Sequence, residues 1–193
     1  MGASFDALMR EGHAPTGPDV LLRGDWESVR TVVDVGGGTG GLLAAILRAR
    51  PDLRGTLVDL PRAVSRSAEV FRSAGVAERA TAIGQSFFDP LPVGADLYLL
   101  SAVLNDWPDA EATAILGRCA EAVDPSGRVV VMGGVIPDGE RDDELTPELV
   151  LVGGTNRSLA NFRQSARSVG LEVERAGRIP NGRFAVECRP VRE

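Results

Sequence analysis

The sequence predicts an α/β fold, a mostly parallel sheet that closes in an antiparallel C-terminal hairpin, and three observations predict it. From Thr31 onward, β-branched runs alternate with segments of helical periodicity, the pattern of parallel strands joined by helical crossovers. The first run, Thr31–Val35, empties into Gly36-Gly37-Gly38-Thr39-Gly40, and an apolar helix follows at once through Leu42, Leu43, Ile46 and Leu47. Near the far end, Pro180-Asn181-Gly182 parts two alternating runs, and Asn-Gly in that position is a strong hairpin signal.

Taken in order, residues 1–30 are weakly patterned. Phe5, Leu8 and Met9 fall at helical spacing and a His13–Pro18 loop follows, so this stretch reads as a linker ahead of one domain spanning 31–193. Strand Thr31–Val35 leads into helix Gly40–Arg50, closed by Pro51, and strand Thr56–Asp59 into helix Pro61–Ala74, closed by Gly75. Ala80–Gly84 and Ala95–Leu100 read as strands. Pro108 suits the first position of a helix running Asp109 to Val123, whose Ala112, Ile115, Leu116 and Cys119 share one face. Gly127 precedes strand Arg128–Met132. Beyond an acidic loop, Asp138–Glu148, come helix Leu159–Val169 and the hairpin strands Leu171–Ala176 and Arg183–Cys188.

Composition bounds the function. A chain of 193 residues with 44% hydrophobic content can bury one sizeable core. A net charge of −6 without any basic block argues against nucleic acid or an anionic membrane as partner. All 21 basic residues are arginines scattered along the chain, a coding bias and not a phosphate-binding device. Cys119 and Cys188 lack metal-ligand spacing and His13 is the one histidine, so no metal site is expected. The cysteine usage suits a reducing cytoplasm, and no stretch has the apolar length of a membrane span.

The glycine turn and a carboxylate about 20 residues beyond it, Asp59 at the end of the second strand, point to a nucleoside cofactor. Glycine lets the backbone approach a ligand at the start of a helix. Gly36-x-Gly38-x-x-Gly41 satisfies the dinucleotide fingerprint, so NAD has to be weighed. Two features favour S-adenosylmethionine. Asp34, two residues before the first glycine, suits a cationic amino-acid ligand and would repel a pyrophosphate. The terminal hairpin fits the Rossmann-like seven-stranded methyltransferase sheet better than a six-stranded parallel one. Asp34 could also serve only to satisfy nearby backbone.

From Thr31 to the C-terminus the chain resembles the catalytic domain of the plant caffeate-type O-methyltransferase family, whose bacterial members modify aromatic natural products. The resemblance rests on Val33-Asp34-Val35-Gly36-Gly37-Gly38-Thr39-Gly40, Val58-Asp59-Leu60-Pro61, Phe87-Phe88-Asp89-Pro90-Leu91-Pro92, Val103-Leu104-Asn105-Asp106-Trp107 and Gly153-Gly154-Thr155-Asn156-Arg157-Ser158, in the family's order and spacing. It implies that Asp34, Gly36 and Gly38 line the methionine moiety of S-adenosylmethionine and that Asp59, with Leu60 beside it, takes the ribose hydroxyls. Ser86 and Phe87 stand where the family sets a pair against the adenine. Ser101 takes the place of a lysine near the cofactor carboxylate, and Trp107 walls the pocket or serves as ordinary core.

The catalytic positions depart from the family pattern. Its general-base histidine is replaced by Asn105, whose amide cannot take up a proton near neutrality. The two supporting glutamates are replaced by Gly133 and Asn156, which leaves Asn105 an orienting role only. The family's N-terminal dimerisation domain has no counterpart in this sequence, so the expectation is an excised domain, a natural split form, or a homodimer or partner chain that supplies the lobe. Three readings follow. The first is an O-methyltransferase working on a small aromatic or polyketide-like acceptor by positioning, with S-adenosylhomocysteine as its coproduct. The second is a homologue using bound S-adenosylmethionine for hydroxylation, decarboxylation or ring chemistry. The third is a non-catalytic binding module.

Overall fold

The computed structural model describes residues 18–140 and 155–191. The expected linker helix around Phe5 and most of the acidic loop lie outside the described residues. Five parallel strands come first: β1 (Thr31–Val35), β2 (Arg54–Asp59), β3 (Ala80–Gly84), β4 (Leu97–Ser101) and β5 (Arg128–Met132). A two-residue pair follows, β6 (Val135–Ile136) with β7 (Arg157–Ser158), which no sequence pattern announces. The chain closes with β8 (Leu171–Arg178) and β9 (Phe184–Pro190).

Among the described residues seven strands form one sheet in the order β3-β2-β1-β4-β5-β9-β8. β9 lies antiparallel between β5 and β8, with Val131 opposite Val186. The expected sheet and its hairpin are both present, and each hairpin strand runs two residues further than the alternation suggested.

Helices α1 (Gly41–Ala49), α2 (Pro61–Val64), α3 (Ser67–Ser73), α4 (Asp109–Ala122) and α5 (Leu159–Ser168) cover the sheet. Strand side chains alternate between its faces. Val32, Leu97, Leu99 and Val130 pack with Leu43, Ile46 and Leu47 of α1 and Phe71 of α3. Val33, Val35, Tyr98, Leu100 and Val131 pack with Ile115 and Leu116 of α4 and Phe162 of α5. The central strands are covered on both faces and read as continuous apolar runs for that reason. Ser158 caps α5 by accepting the Asn161 N–H at 3.2 Å.

The single helix expected over Pro61–Ala74 is broken. The Ser65 hydroxyl donates to the Arg62 carbonyl and the Ser67 hydroxyl to the Val64 carbonyl, each at 2.7 Å, and such local bonds compete with the helical ladder. Pro108 precedes α4 as its N-cap and is not its first residue. Residues 18–30 do not hang free. Val20 and Leu21 are buried against α1's face of the sheet. Asp25 joins Arg128, Arg175 and the fully buried Glu187 in an ion-pair cluster under β5, β8 and β9.

Candidate functional site

β1 ends against a turn in which Gly36 and Gly38 have φ of +70° and +62°. L side chains rarely adopt that region, so the turn demands glycine at both positions. The two differ in surroundings. A Cβ on Gly36 would stand 2.7 Å from the Val103 side chain, whereas one on Gly38 would meet nothing within 4 Å. The Gly38 face therefore opens outward, just ahead of α1, whose first N–H groups have no intrahelical partners.

Asp59 ends β2 beside that opening. One carboxylate oxygen accepts the Gly38 N–H at 2.8 Å and the other accepts the Leu60 N–H at 2.6 Å. Leu60 itself is 39% exposed, an apolar surface next to the carboxylate. Asp34 sits differently: it is fully buried behind the turn. A Cβ on Gly37 would come 2.3 Å from Asp34 Oδ2, and neither carboxylate oxygen has a hydrogen-bond partner. Burial, and next the charge of Asp59, push its pKa up to about 7; the Leu43 backbone opposes that shift without forming a hydrogen bond of ordinary geometry.

The far wall is aromatic. The Ser86 hydroxyl accepts the Phe88 N–H at 3.2 Å and turns the chain after β3. Phe87, Phe88 and Trp107 then meet with ring centroids 5.0–5.9 Å apart, both phenylalanines edge-on to the indole. Phe87 also approaches the Gly36 Cβ position, at 3.7 Å, so this cluster borders the glycine turn. Trp107 thus packs as part of this aromatic cluster. Phe88 was not singled out from the sequence, though its place beside Phe87 was a usable signal.

Asn105 is buried on the short 3₁₀ turn Leu104–Asp106. Its Nδ2 donates to Asp106 Oδ1 at 2.9 Å and its Oδ1 is buried without a partner. Burial raises the Asp106 pKa to about 6. Arg157, also buried, holds the segment by donating to the Leu104 carbonyl at 2.8 Å, the Trp107 carbonyl at 2.6 Å and Asp109 at 2.7 Å. Asp109 therefore acts as Arg157's partner as well as lying in the first turn of α4.

Ser101, at the end of β4, accepts a hydrogen bond from Arg183 at 3.4 Å. Arg183 was read only as the start of a strand; the hairpin turn just before it was the one clue to its position. Asp34, Gly36, Gly38, Asp59, Leu60, Phe87 and Ser101 all lie at or beyond the C-terminal ends of the parallel strands, where open α/β sheets bind ligands. A cleft of about 290 Å³ lies elsewhere, lined by Thr31, Arg54, Thr56, Glu78 and Arg79, and no candidate residue borders it. Among the described residues no three potential metal ligands cluster, and no helix is long and apolar enough to cross a membrane.

Comparisons with known proteins place the chain in a family. A family model described as an O-methyltransferase domain matches residues 1–172. The 2,7-dihydroxy-5-methyl-1-naphthoate 7-O-methyltransferase of Streptomyces carzinostaticus is 44% identical over 177 residues, 91% of this chain and 53% of its own. The aclacinomycin 10-hydroxylase of Streptomyces purpurascens is 42% identical over 178 residues, 88% of this chain and 47% of its own. The chain thus spans about half the length of these relatives. A solved O-methyltransferase from neocarzinostatin biosynthesis, in complex with S-adenosylmethionine and 2-hydroxy-5-methyl naphthoic acid, superposes with a TM-score of 0.80 at 41% identity, over 98% of this chain and 57% of the other.

Proposed function

Because this chain belongs to the O-methyltransferase domain family, we propose that it binds S-adenosylmethionine against the glycine turn and transfers its methyl group to an oxygen of a small aromatic, polyketide-like acceptor. The observation that carries this reading is the Asp59 carboxylate, held at the mouth of the turn by the Gly38 N–H. The residues present fit the cofactor. Asp59 offers carboxylate lone pairs to vicinal hydroxyls, Leu60 and Phe87 offer apolar surface to a flat base, and the Gly38 side is open. When bound, S-adenosylmethionine supplies a methyl group activated on a sulfonium.

The chain's own contribution is positioning. Asn105 cannot remove a proton, and general-base catalysis is worth typically about 10²–10⁴-fold. Holding an acceptor oxygen in line can supply several kcal/mol without it. An acceptor oxygen that is already ionised or acidic suits such a site best.

Calorimetric titration with S-adenosylmethionine, S-adenosylhomocysteine and NAD, followed by incubation with methyl-labelled cofactor and a hydroxynaphthoic acid, tests the reading. Label in the aromatic product supports it. Binding of NAD with silence toward S-adenosylmethionine overturns it. A second reading is favoured by the aclacinomycin 10-hydroxylase relative together with Asn105 at the base position. In that case the acceptor changes while the label stays on the cofactor.

A further inference from the structure

Strand alternation sends Val33 and Val35 of β1 to one face of the sheet and Asp34 to the other, the face that α1 covers. Its register partners there, Leu57 of β2 and Leu99 of β4, are fully buried and pack in one cluster with Leu43 of α1. Asp34 is fully buried as well, and neither of its carboxylate oxygens has a hydrogen-bond partner. The first turn of α1 brings no ionisable side chain to it, and Tyr98 of β4 packs on the opposite face. The charge that acts on it, Asp59 at the end of β2, has the same sign. An ionised carboxylate so placed is costly unless a cation faces it, and otherwise it takes up a proton. On its remaining side Asp34 lies against the glycine turn. A Cβ on Gly37 would stand 2.3 Å from Oδ2 and 2.5 Å from Cγ, and Gly37 is one residue from the open Gly38.

We propose that Asp34 senses ligand charge: it releases a proton when S-adenosylmethionine binds and keeps it when S-adenosylhomocysteine binds, which favours cofactor over coproduct. The inference rests on the reading that the glycine turn holds S-adenosylmethionine. The two ligands share every group except the transferred methyl and, with it, the sulfonium charge. That positive charge is what distinguishes them at the turn. Charges inside a protein act over several ångströms, because the medium polarises weakly and salt screens buried groups little. Ionised Asp34 therefore attracts the sulfonium ligand and is indifferent to the thioether. Linkage fixes the sign: a ligand that favours the ionised carboxylate expels its proton and binds more tightly as pH rises. The affinity for S-adenosylmethionine relative to S-adenosylhomocysteine climbs as pH approaches 7 and levels above it, because the free Asp34 has a pKa of about 7.

Calorimetric titration of the full chain with each ligand, as wild type and Asp34→Asn, tests this. Repeating each titration at pH 7 in two buffers of different ionisation enthalpy counts the protons released. Asparagine keeps the shape of Asp34 and cannot ionise, so that variant accounts for protons exchanged by the ligands' own amino groups. Wild type is expected to release up to about half a proton more with S-adenosylmethionine than with S-adenosylhomocysteine, since a group with a pKa of about 7 is half protonated there. In Asp34→Asn that excess vanishes. From pH 5 to pH 8 the affinity ratio is expected to rise about threefold to tenfold more in wild type than in the variant, which corresponds to a pKa lowered by about half a unit to one unit. Should the variant bind neither ligand, the wild-type excess decides: it is expected to peak just below pH 7 and to fade toward pH 5 and pH 9. An excess without that peak overturns the inference. Equal proton release by the two ligands, or an excess that persists in Asp34→Asn, also overturns it and leaves the proposed function standing. Silence of the wild type toward both ligands overturns both. An Asp34-dependent excess in a protein that transfers no label to a hydroxynaphthoic acid upholds the inference while the methyl-transfer reading fails.

Discussion

The Asp59 carboxylate and the Gly38 N–H, 21 residues apart in the chain, are joined by a 2.8 Å hydrogen bond that ties the end of β2 to the glycine turn. The bond sets a carboxylate at the mouth of that turn. Asp59→Ala removes that partner and the acceptor for ligand hydroxyls together. We expect S-adenosylmethionine affinity to fall by about tenfold to a hundredfold, the range for hydrogen bonds to a charged group, with a smaller loss in Asp59→Asn. Calorimetry on both variants checks this; full-strength binding by the alanine variant rules the assignment out.

Gly37 lies between Gly36 and Gly38 and is the tightest of the three. A Cβ there would stand 2.3 Å from Asp34 Oδ2 and 2.7 Å from Leu57 Cδ1. Gly37→Ala should cost about 1–3 kcal/mol through overpacking, read as a lower denaturation midpoint with an unchanged slope. Gly38→Ala meets no atom, so its cost is the left-handed backbone alone, about 1–2 kcal/mol.

Asp34 makes stability depend on pH in a stated direction. Its folded pKa of about 7 lies above the ordinary carboxylate value. Both states carry the proton below about pH 4, the ordinary carboxylate pKa, and no penalty arises there. As pH rises from there through 7 the unfolded chain ionises first, so stability falls across that window and then levels. Asp34→Asn should flatten the fall and stabilise the protein at pH 8 by on the order of a few kcal/mol. Denaturant unfolding at pH 5 and pH 8 measures it. A wild type more stable at pH 8 than at pH 5, with the difference retained in Asp34→Asn, contradicts the assignment.

Arg157 and Asp109 form a 2.7 Å ion pair, yet Asp109 is 79% exposed and the pair itself should be worth little. The value of Arg157 lies in the Leu104 and Trp107 carbonyls it satisfies while buried. Arg157→Met should therefore cost about 2–5 kcal/mol, and Asp109→Asn under about 1 kcal/mol. Thermal unfolding of the two variants separates the contributions.

Asn105→Ala tests positioning against base catalysis. An orienting amide predicts a loss in kcat of less than about tenfold, whereas removal of a true base costs about 10²–10⁴-fold. Single-turnover rates with labelled cofactor distinguish the two.

The sequence by itself determined the layering of this protein. Alternation, continuous apolar runs and punctuating glycines and prolines are local signals, and they located all seven strands of the main sheet and the glycine turn that Asp59 meets. The five motif words likewise led to the family. Tertiary structure decided what depends on distance across the sheet. The break at Ser65–Ser67 arises from hydroxyls competing with the helix ladder, which periodicity does not register. The orientation of Asp34 behind its turn follows from strand pleat and from the packing of Leu57 under Gly37. Arg183, 82 residues from Ser101, arrives beside it because β9 runs backward, bringing its first residue to the edge where β4 ends. A charge carried that far by sheet topology leaves no mark in the residues around either end.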